Sequence, residues 1–158
     1  MPLHIAVSGP GDSASAEDLA AAREVGRSVA RAGAVLLCGG LGGVMAAAAA
    51  GCAEAGGTSV GLLPGDDRSA AAEGLTVVLP TGLGELRNAL LVRCCDALVA
   101  VGGSWGTLSE VALARRTGVP VVVLGGWSVR TPAGEEPLGE VADDPVDAVR
   151  RALARAAR

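Results

Sequence analysis

Two pieces of this chain carry side chains and backbone able to do chemistry together. The first is Val101-Gly102-Gly103-Ser104-Trp105-Gly106-Thr107-Leu108-Ser109-Glu110, a glycine-rich turn between an apolar run and a helical pattern. Such a turn lines up N–H groups that a helix start leaves unpaired, and the helix dipole adds partial positive charge, so a phosphate is a natural occupant. An equally simple reading makes Thr107-x-x-Glu110 a capping box that satisfies the first turn and binds nothing. The second piece is Arg87. On a 100° wheel it falls inside the stripe Leu83, Leu86, Leu90 and Cys94, so its guanidinium points inward and needs a partner. That partner is an anion or carboxylate in a cleft, unless the arginine snorkels past the helix end or pairs with a neighbouring subunit.

Absences narrow the chemistry further. All 13 basic residues are arginine, and His4 is the one histidine. Without lysine there is no Schiff base to pyridoxal phosphate and no Walker-type Gly-Lys-Ser/Thr loop. A Ser-His-Asp triad or histidine metal site has only His4 to draw on, at the start of the first strand. Cys38, Cys52, Cys94 and Cys95 form no C-x-x-C pair and read as small buried residues of a reducing compartment. No metal and no resident cofactor is expected. Catalysis, if present, rests on carboxylates and arginine.

The elements that position these residues follow from hydrophobic periodicity. Leu3 to Ser8 reads as a strand, Ser15 to Arg31 as a helix opened by Ser15-x-x-Asp18, and Ala34 to Cys38 as a second strand. Gly39-Gly40-Leu41-Gly42-Gly43 then opens an alanine-rich helix from Val44 to about Ala55, whose small side chains let it lie close to the sheet or a ligand. Thr58 to Leu63, Leu75 to Leu79, Asp96 to Val101 and Val119 to Leu124 are further strands. Helices run from Leu83 to Cys95, Thr107 to Thr117 and Pro145 to Arg158, and Gly125 to Glu140 is irregular. This alternation predicts one α/β domain over 1–158. It is a Rossmann-like, doubly wound, mostly parallel sheet of about six strands with helices on both faces and a ligand crevice at the strand carboxyl ends. Ser8-Gly9, Cys38-Gly39-Gly40, Pro80-Thr81 and Gly102-Gly103 stand at such ends. A dinucleotide site is disfavoured: Gly9-x-Gly11 lacks the third glycine, and Cys38-Gly39 stands where a ribose-binding acid would end the second strand.

Composition adds bounds on partners. The net charge of −4 argues against a nucleic-acid partner, and the arginines of the last helix (Arg150, Arg151, Arg155, Arg158) read as a solvated face. No apolar run reaches the roughly 18 residues of a membrane span, so no membrane partner is expected and the chain reads as cytoplasmic. Trp105 could stack on a base, pack under the loop or sit at a subunit contact.

These residues together resemble the Lonely Guy (LOG) family and its bacterial relatives among Rossmann-like nucleotide-binding proteins. The resemblance runs from Ile5-Ala6-Val7-Ser8-Gly9 to Val121-Val122-Val123-Leu124. It is most specific at Gly39-Gly40-Leu41-Gly42-Gly43-Val44-Met45, at Arg87-Asn88, and at 102–110, which is similar to the family's P-G-G-x-G-T-x-x-E signature. It implies a homodimeric phosphoribohydrolase that splits a nucleoside 5′-monophosphate into free base and ribose 5-phosphate. Gly102, Gly103, Ser104, Gly106 and Thr107 would hold the phosphate, with Ser8, Gly9, Gly39, Gly40, Met45 and Asn88 around the nucleotide and Arg87 and Glu110 catalytic. A carboxylate near C1′ can stabilise oxocarbenium character or activate water, and Glu110, one helical turn beyond the phosphate, is placed for that. Asn88 replaces the lysine of the family's Arg-Lys pair. Arg-Asn chains resemble a branch with molybdenum-cofactor carriers among its relatives. The alternative function is therefore a non-catalytic carrier or sensor of a nucleotide or pterin-type phosphate. The label lysine decarboxylase, attached to such relatives, does not suit a chain without lysine.

Overall fold

The computed structural model describes residues 1–157; Arg158, assigned from sequence to the last helix, lies outside the described residues. In chain order the elements are β1 (His4–Ser8), α1 (Ala16–Arg31), β2 (Val35–Cys38), α2 (Val44–Glu54), β3 (Thr58–Leu63), β4 (Val77–Pro80), α3 (Arg87–Cys94) and β5 (Ala97–Val101). There follow α4 (Trp105–Thr117), β6 (Val121–Leu124), β7 (Ser128–Thr131), β8 (Gly134–Pro137), β9 (Glu140–Val141) and α5 (Pro145–Ala156). β4-β3-β2-β1-β5-β6-β9 form one sheet, parallel at every pairing, with β1 and β5 neighbours at its centre. Strand order reverses between β1 and β5, and a crevice opens at such a switch point.

The doubly wound α/β architecture is as expected, and the central strands are apolar because both faces are covered. On one face Ile5, Val7, Leu36, Val99 and Val101 pack against Val25, Val29, Val44 and Ala148 of α1, α2 and α5. On the other, Ala6, Leu37, Leu98 and Ala100 meet Leu91 and Val92 of α3 and Val111 and Ala114 of α4. Helix α1 opens with the capping box expected at Ser15, whose hydroxyl accepts from Asp18 N–H while the Asp18 carboxylate accepts from Ser15 N–H.

Four local expectations are corrected. The sheet has seven strands, and Gly125 to Glu140 is ordered: β7 and β8 form an antiparallel hairpin and β9 pairs with β6. Ser-Val-Arg-Thr and Gly-Glu-Glu-Pro carry no apolar alternation, and seven of their eight residues are exposed, so periodicity had nothing to detect. The stripe Leu83, Leu86, Leu90 and Cys94 does not face the core as one: Leu90 packs against it, but Leu83, Leu86 and Cys94 are exposed, and Leu83 and Leu86 precede α3 because Gly84–Leu86 is a single 3₁₀ turn and the α-helix starts only at Arg87. Three residues per turn shift the phase that a 100° wheel assumes. Leu86 is 74% exposed, while Arg87, Leu91 and Val92 are buried.

The alanine-rich helix lies close to α1. A Cβ on Gly26 would stand 2.0 Å from the Ala48 carbonyl oxygen, and one on Gly51 1.9 Å from that of Arg23. The two helix backbones therefore interlock through glycines, and Arg27 to Glu54 (2.6 Å) bridges their exposed flank. Finally, Cys38, Cys52 and Cys95 are buried as expected, but Cys94, the last residue of α3, is exposed.

Candidate functional site

At the carboxyl ends of β1, β2, β3 and β5 the loops enclose a cleft of about 300 Å³. Its walls include Gly9, Met45, Arg87, Asn88, Ser104, Gly106, Thr107 and Glu110 of the residues expected from sequence. Gly11, Leu41, Pro64, Gly84 and Glu85 complete it. Pro64 directly follows β3, so the strand-end rule that selected Ser8 and Gly39 could have found it; Glu85 carries no such signal.

Glu110 sits on the inner face of α4 and is 7% exposed. Ser8, 2% exposed at the end of β1, donates its hydroxyl to Glu110 Oε2, and Arg87 Nη1 stands 3.5 Å from Glu110 Oε1. Burial raises the Glu110 carboxyl above its usual range, with the Ser8 hydrogen bond and the Arg87 charge opposing the shift. Arg87 is also 7% exposed, and its Nε has no hydrogen-bond partner among the described residues. The inward arginine is thus real, although the helical stripe that suggested it is not. Gly39 makes room for it: a Cβ there would lie 2.4 Å from Arg87 Nη1 and 2.6 Å from Met45 Sδ. Burial also pushes the neighbouring Cys38 thiol up to about 11, which leaves it inert.

The glycine turn before α4 is built differently from the capping box Thr107-x-x-Glu110. Helix α4 starts two residues earlier, and its N-cap is Ser104, whose Oγ accepts from Thr107 N–H at 3.2 Å and lies 2.9 Å from Thr107 Oγ1. Serine is a strong N-cap, and once it takes the cap the Glu110 carboxylate is a full turn inside the helix. The N–H groups of Trp105 and Gly106 remain outside the helix's own ladder and point from its positive end. Asn88 Nδ2 donates to Ser109 Oγ at 3.0 Å, and Ser109 Oγ to the Gly106 carbonyl at 2.7 Å, so the position where the motif has lysine ties α3 to this turn.

Other expected residues stand behind the cleft. Gly102, at φ 63°, faces the Asp18 carboxylate, and Gly103 lies under Trp127, whose Cδ1 would be 2.6 Å from a Cβ there. Gly40, at φ 77°, packs on Leu63 and Gly61. Gly9, itself in the cleft wall, sits beneath the turn, with no room for a side chain beside the Val101 carbonyl and Val44. Gly43, with φ 64°, caps α2 against the Gly11 carbonyl, and Val44 N–H donates to the Pro10 carbonyl at 3.0 Å, which locks the two glycine loops together.

Fold and cleft together define a LOG-like protein of Rossmann type. The chain belongs to the SLOG cluster 4 family, whose model matches residues 2–148. The Lonely Guy branch named from the motifs is a finer assignment than this match. Among solved structures, the chain is similar to a molybdenum cofactor carrier protein from Chlamydomonas reinhardtii, with 35% identity, TM-score 0.87 and 100% of each chain covered. It is similar too to the molybdenum cofactor binding protein of the phototrophic bacterium Rippkaea orientalis, with 31% identity and TM-score 0.88 over 98% of this chain and 97% of that one. A protein of Archaeoglobus fulgidus without an assigned function is 37% identical over 137 residues, 82% of this chain and 89% of its own length. Among the described residues no helix is long and apolar enough to cross a membrane.

Proposed function

We propose that this protein is a carrier of a phosphorylated, pterin-type small molecule of the molybdenum-cofactor kind, bound in the cleft and released intact. The observation that carries this reading is the likeness to the Chlamydomonas carrier over the whole of both chains. The site fits such a cargo. The open N–H groups of Trp105 and Gly106 suit a terminal phosphate, aided by Ser104 and Thr107, and the unpartnered Nε of buried Arg87 suits a further acceptor atom. Gly102 and Gly103 shape the turn from behind, Gly9, Met45 and Asn88 line the walls, and Gly39 and Gly40 support them from behind.

A second reading is the phosphoribohydrolase implied by the motifs. It is favoured by one observation, the meeting of Arg87 and Glu110 in the cleft wall. Against it, the Glu110 carboxylate is buried and already engaged by Ser8 and Arg87 rather than free to face a sugar. We also take the chain to act as a single cytoplasmic domain and to form a homodimer. Leu83, Leu86 and Leu79 leave an exposed apolar flank beside α3 that a second copy could cover, and sedimentation velocity would read the resulting mass.

The deciding experiment incubates the purified protein with neopterin monophosphate, GMP and AMP, follows melting temperature, and analyses bound and free species by mass spectrometry. A carrier is stabilised and returns its ligand intact. Release of free base that disappears in Glu110→Ala establishes the hydrolase instead, and neither stabilisation nor base release with any of the three compounds sinks both.

A further inference from the structure

The chain contains two tryptophans and neither phenylalanine nor tyrosine, and the two indoles touch. Trp105 and Trp127 stand edge to face, with ring centroids 4.9 Å apart and planes at 81°. Their seating is specific. Trp127 rests on Gly103, where a Cβ would be 2.6 Å from its ring, and Gly126 brings the preceding backbone against the Gly102 carbonyl, where a Cβ would be 2.2 Å away. Both glycines of the turn are therefore used to place an aromatic side chain beside it. Trp105 is the first residue of α4; its sequence neighbours Ser104 and Gly106 line the cleft, and its own indole stands outside that lining, next to the turn.

Yet Trp105 is 78% exposed. It does not pack under the loop, and Trp127 fixes the plane of the indole without covering it. A tryptophan this exposed presents a stacking surface to water, and its edge-to-face contact with Trp127 holds the ring in place.

We propose that Trp105, oriented by Trp127, is the stacking platform for the ring system of the ligand. That ligand class is a fused, planar heteroaromatic carried on a phosphate, with the phosphate on the N–H groups of the α4 turn and the ring against the indole. This rests on the carrier reading and adds to it the residue that distinguishes a ring-bearing phosphate from a bare one. Base–aromatic stacking tolerates different rings because each presents a π face, so guanine and pterin, which share the same amino-oxo pyrimidine edge, both satisfy it.

The test titrates wild type, Trp105→Ala and Trp105→Phe with neopterin monophosphate, GMP, ribose 5-phosphate and inorganic phosphate by calorimetry. Tryptophan emission is recorded in parallel for the ringless compounds and GMP, and sedimentation is measured for each variant. The expected result is that GMP quenches emission and ribose 5-phosphate does not. Trp105→Ala weakens the ring-bearing phosphates about tenfold while leaving ribose 5-phosphate unchanged, and Trp105→Phe restores most of the loss. A stronger effect on neopterin monophosphate than on GMP identifies a pterin as the ring, and the reverse identifies a purine. Ribose 5-phosphate binding that persists while Trp105→Ala leaves every affinity unchanged overturns the platform alone. If that variant instead alters the sedimenting mass with affinities intact, Trp105 is a subunit contact. Failure of all four compounds to bind removes the carrier reading and the platform together.

Discussion

At the scale of single residues, Glu110 decides how this site behaves with pH. Its carboxyl is raised by burial above the ordinary value of 4.5, so the folded chain holds that proton more readily than the unfolded one. The contribution to stability is then complete below the ordinary value and is lost as pH rises through the higher folded-state value. Replacing Glu110 by Gln imitates the protonated form. The melting temperature of Glu110→Gln relative to wild type should accordingly rise between about pH 4 and neutrality, as calorimetric scans at several pH values would show; a flat difference contradicts the burial of a chargeable group here. Ser8 and Glu110 are 102 positions apart, and no local spacing announces their hydrogen bond. Glu110 itself was legible from its place after the glycine turn. The inwardness of Arg87 was inferred from a stripe that does not exist, and what places it inside is the space left by Gly39.

At the scale of elements, the glycines inside helices are packing devices. Gly51 stands in α2 where alanine would normally add helix stability by about 1 kcal/mol. Its Cα instead faces the Arg23 carbonyl of α1, with 1.9 Å available to a Cβ. Gly51→Ala should therefore destabilise by roughly 1–3 kcal/mol, the usual range for overpacking, measured by urea unfolding with an unchanged m-value. An increase in stability would show that the two helices separate freely. The alanine richness of α2 was visible in the sequence, but its partner was not, since small side chains state that something comes close without stating what. Helix α4 teaches a related lesson: Ser104 and Thr107 both have N-cap chemistry, and the chain uses the earlier one, which frees Glu110 for the cleft.

For the whole molecule, the sheet sorts the four cysteines by solvent access. Cys38, Cys52 and Cys95 are buried, with their thiols raised by desolvation, while Cys94 is exposed at the end of α3. A thiol-specific reagent should label one cysteine quickly in the native protein and all four after unfolding, with peptide mapping placing the fast site at Cys94. Saturating ligand should leave that rate unchanged, because Cys94 lies outside the cleft wall, while stabilising the fold through mass action by about 2.7 kcal/mol at a hundredfold excess over Kd, read as a raised melting temperature.

The sequence by itself determined the alternation of strands and helices, the parallel sheet, the glycine turn before α4, and the chemistry that a chain without lysine and with one histidine is denied. These are local properties, written in periodicity and residue type. The seventh strand and the exposed hairpin, the true buried face of α3, the interlocked α1 and α2, the Ser8–Glu110–Arg87 cluster and the paired indoles were decided by tertiary structure. Each depends on segments distant in the chain meeting at a distance set by backbone packing, and a pattern read along one segment carries no record of the surface that will lie against it.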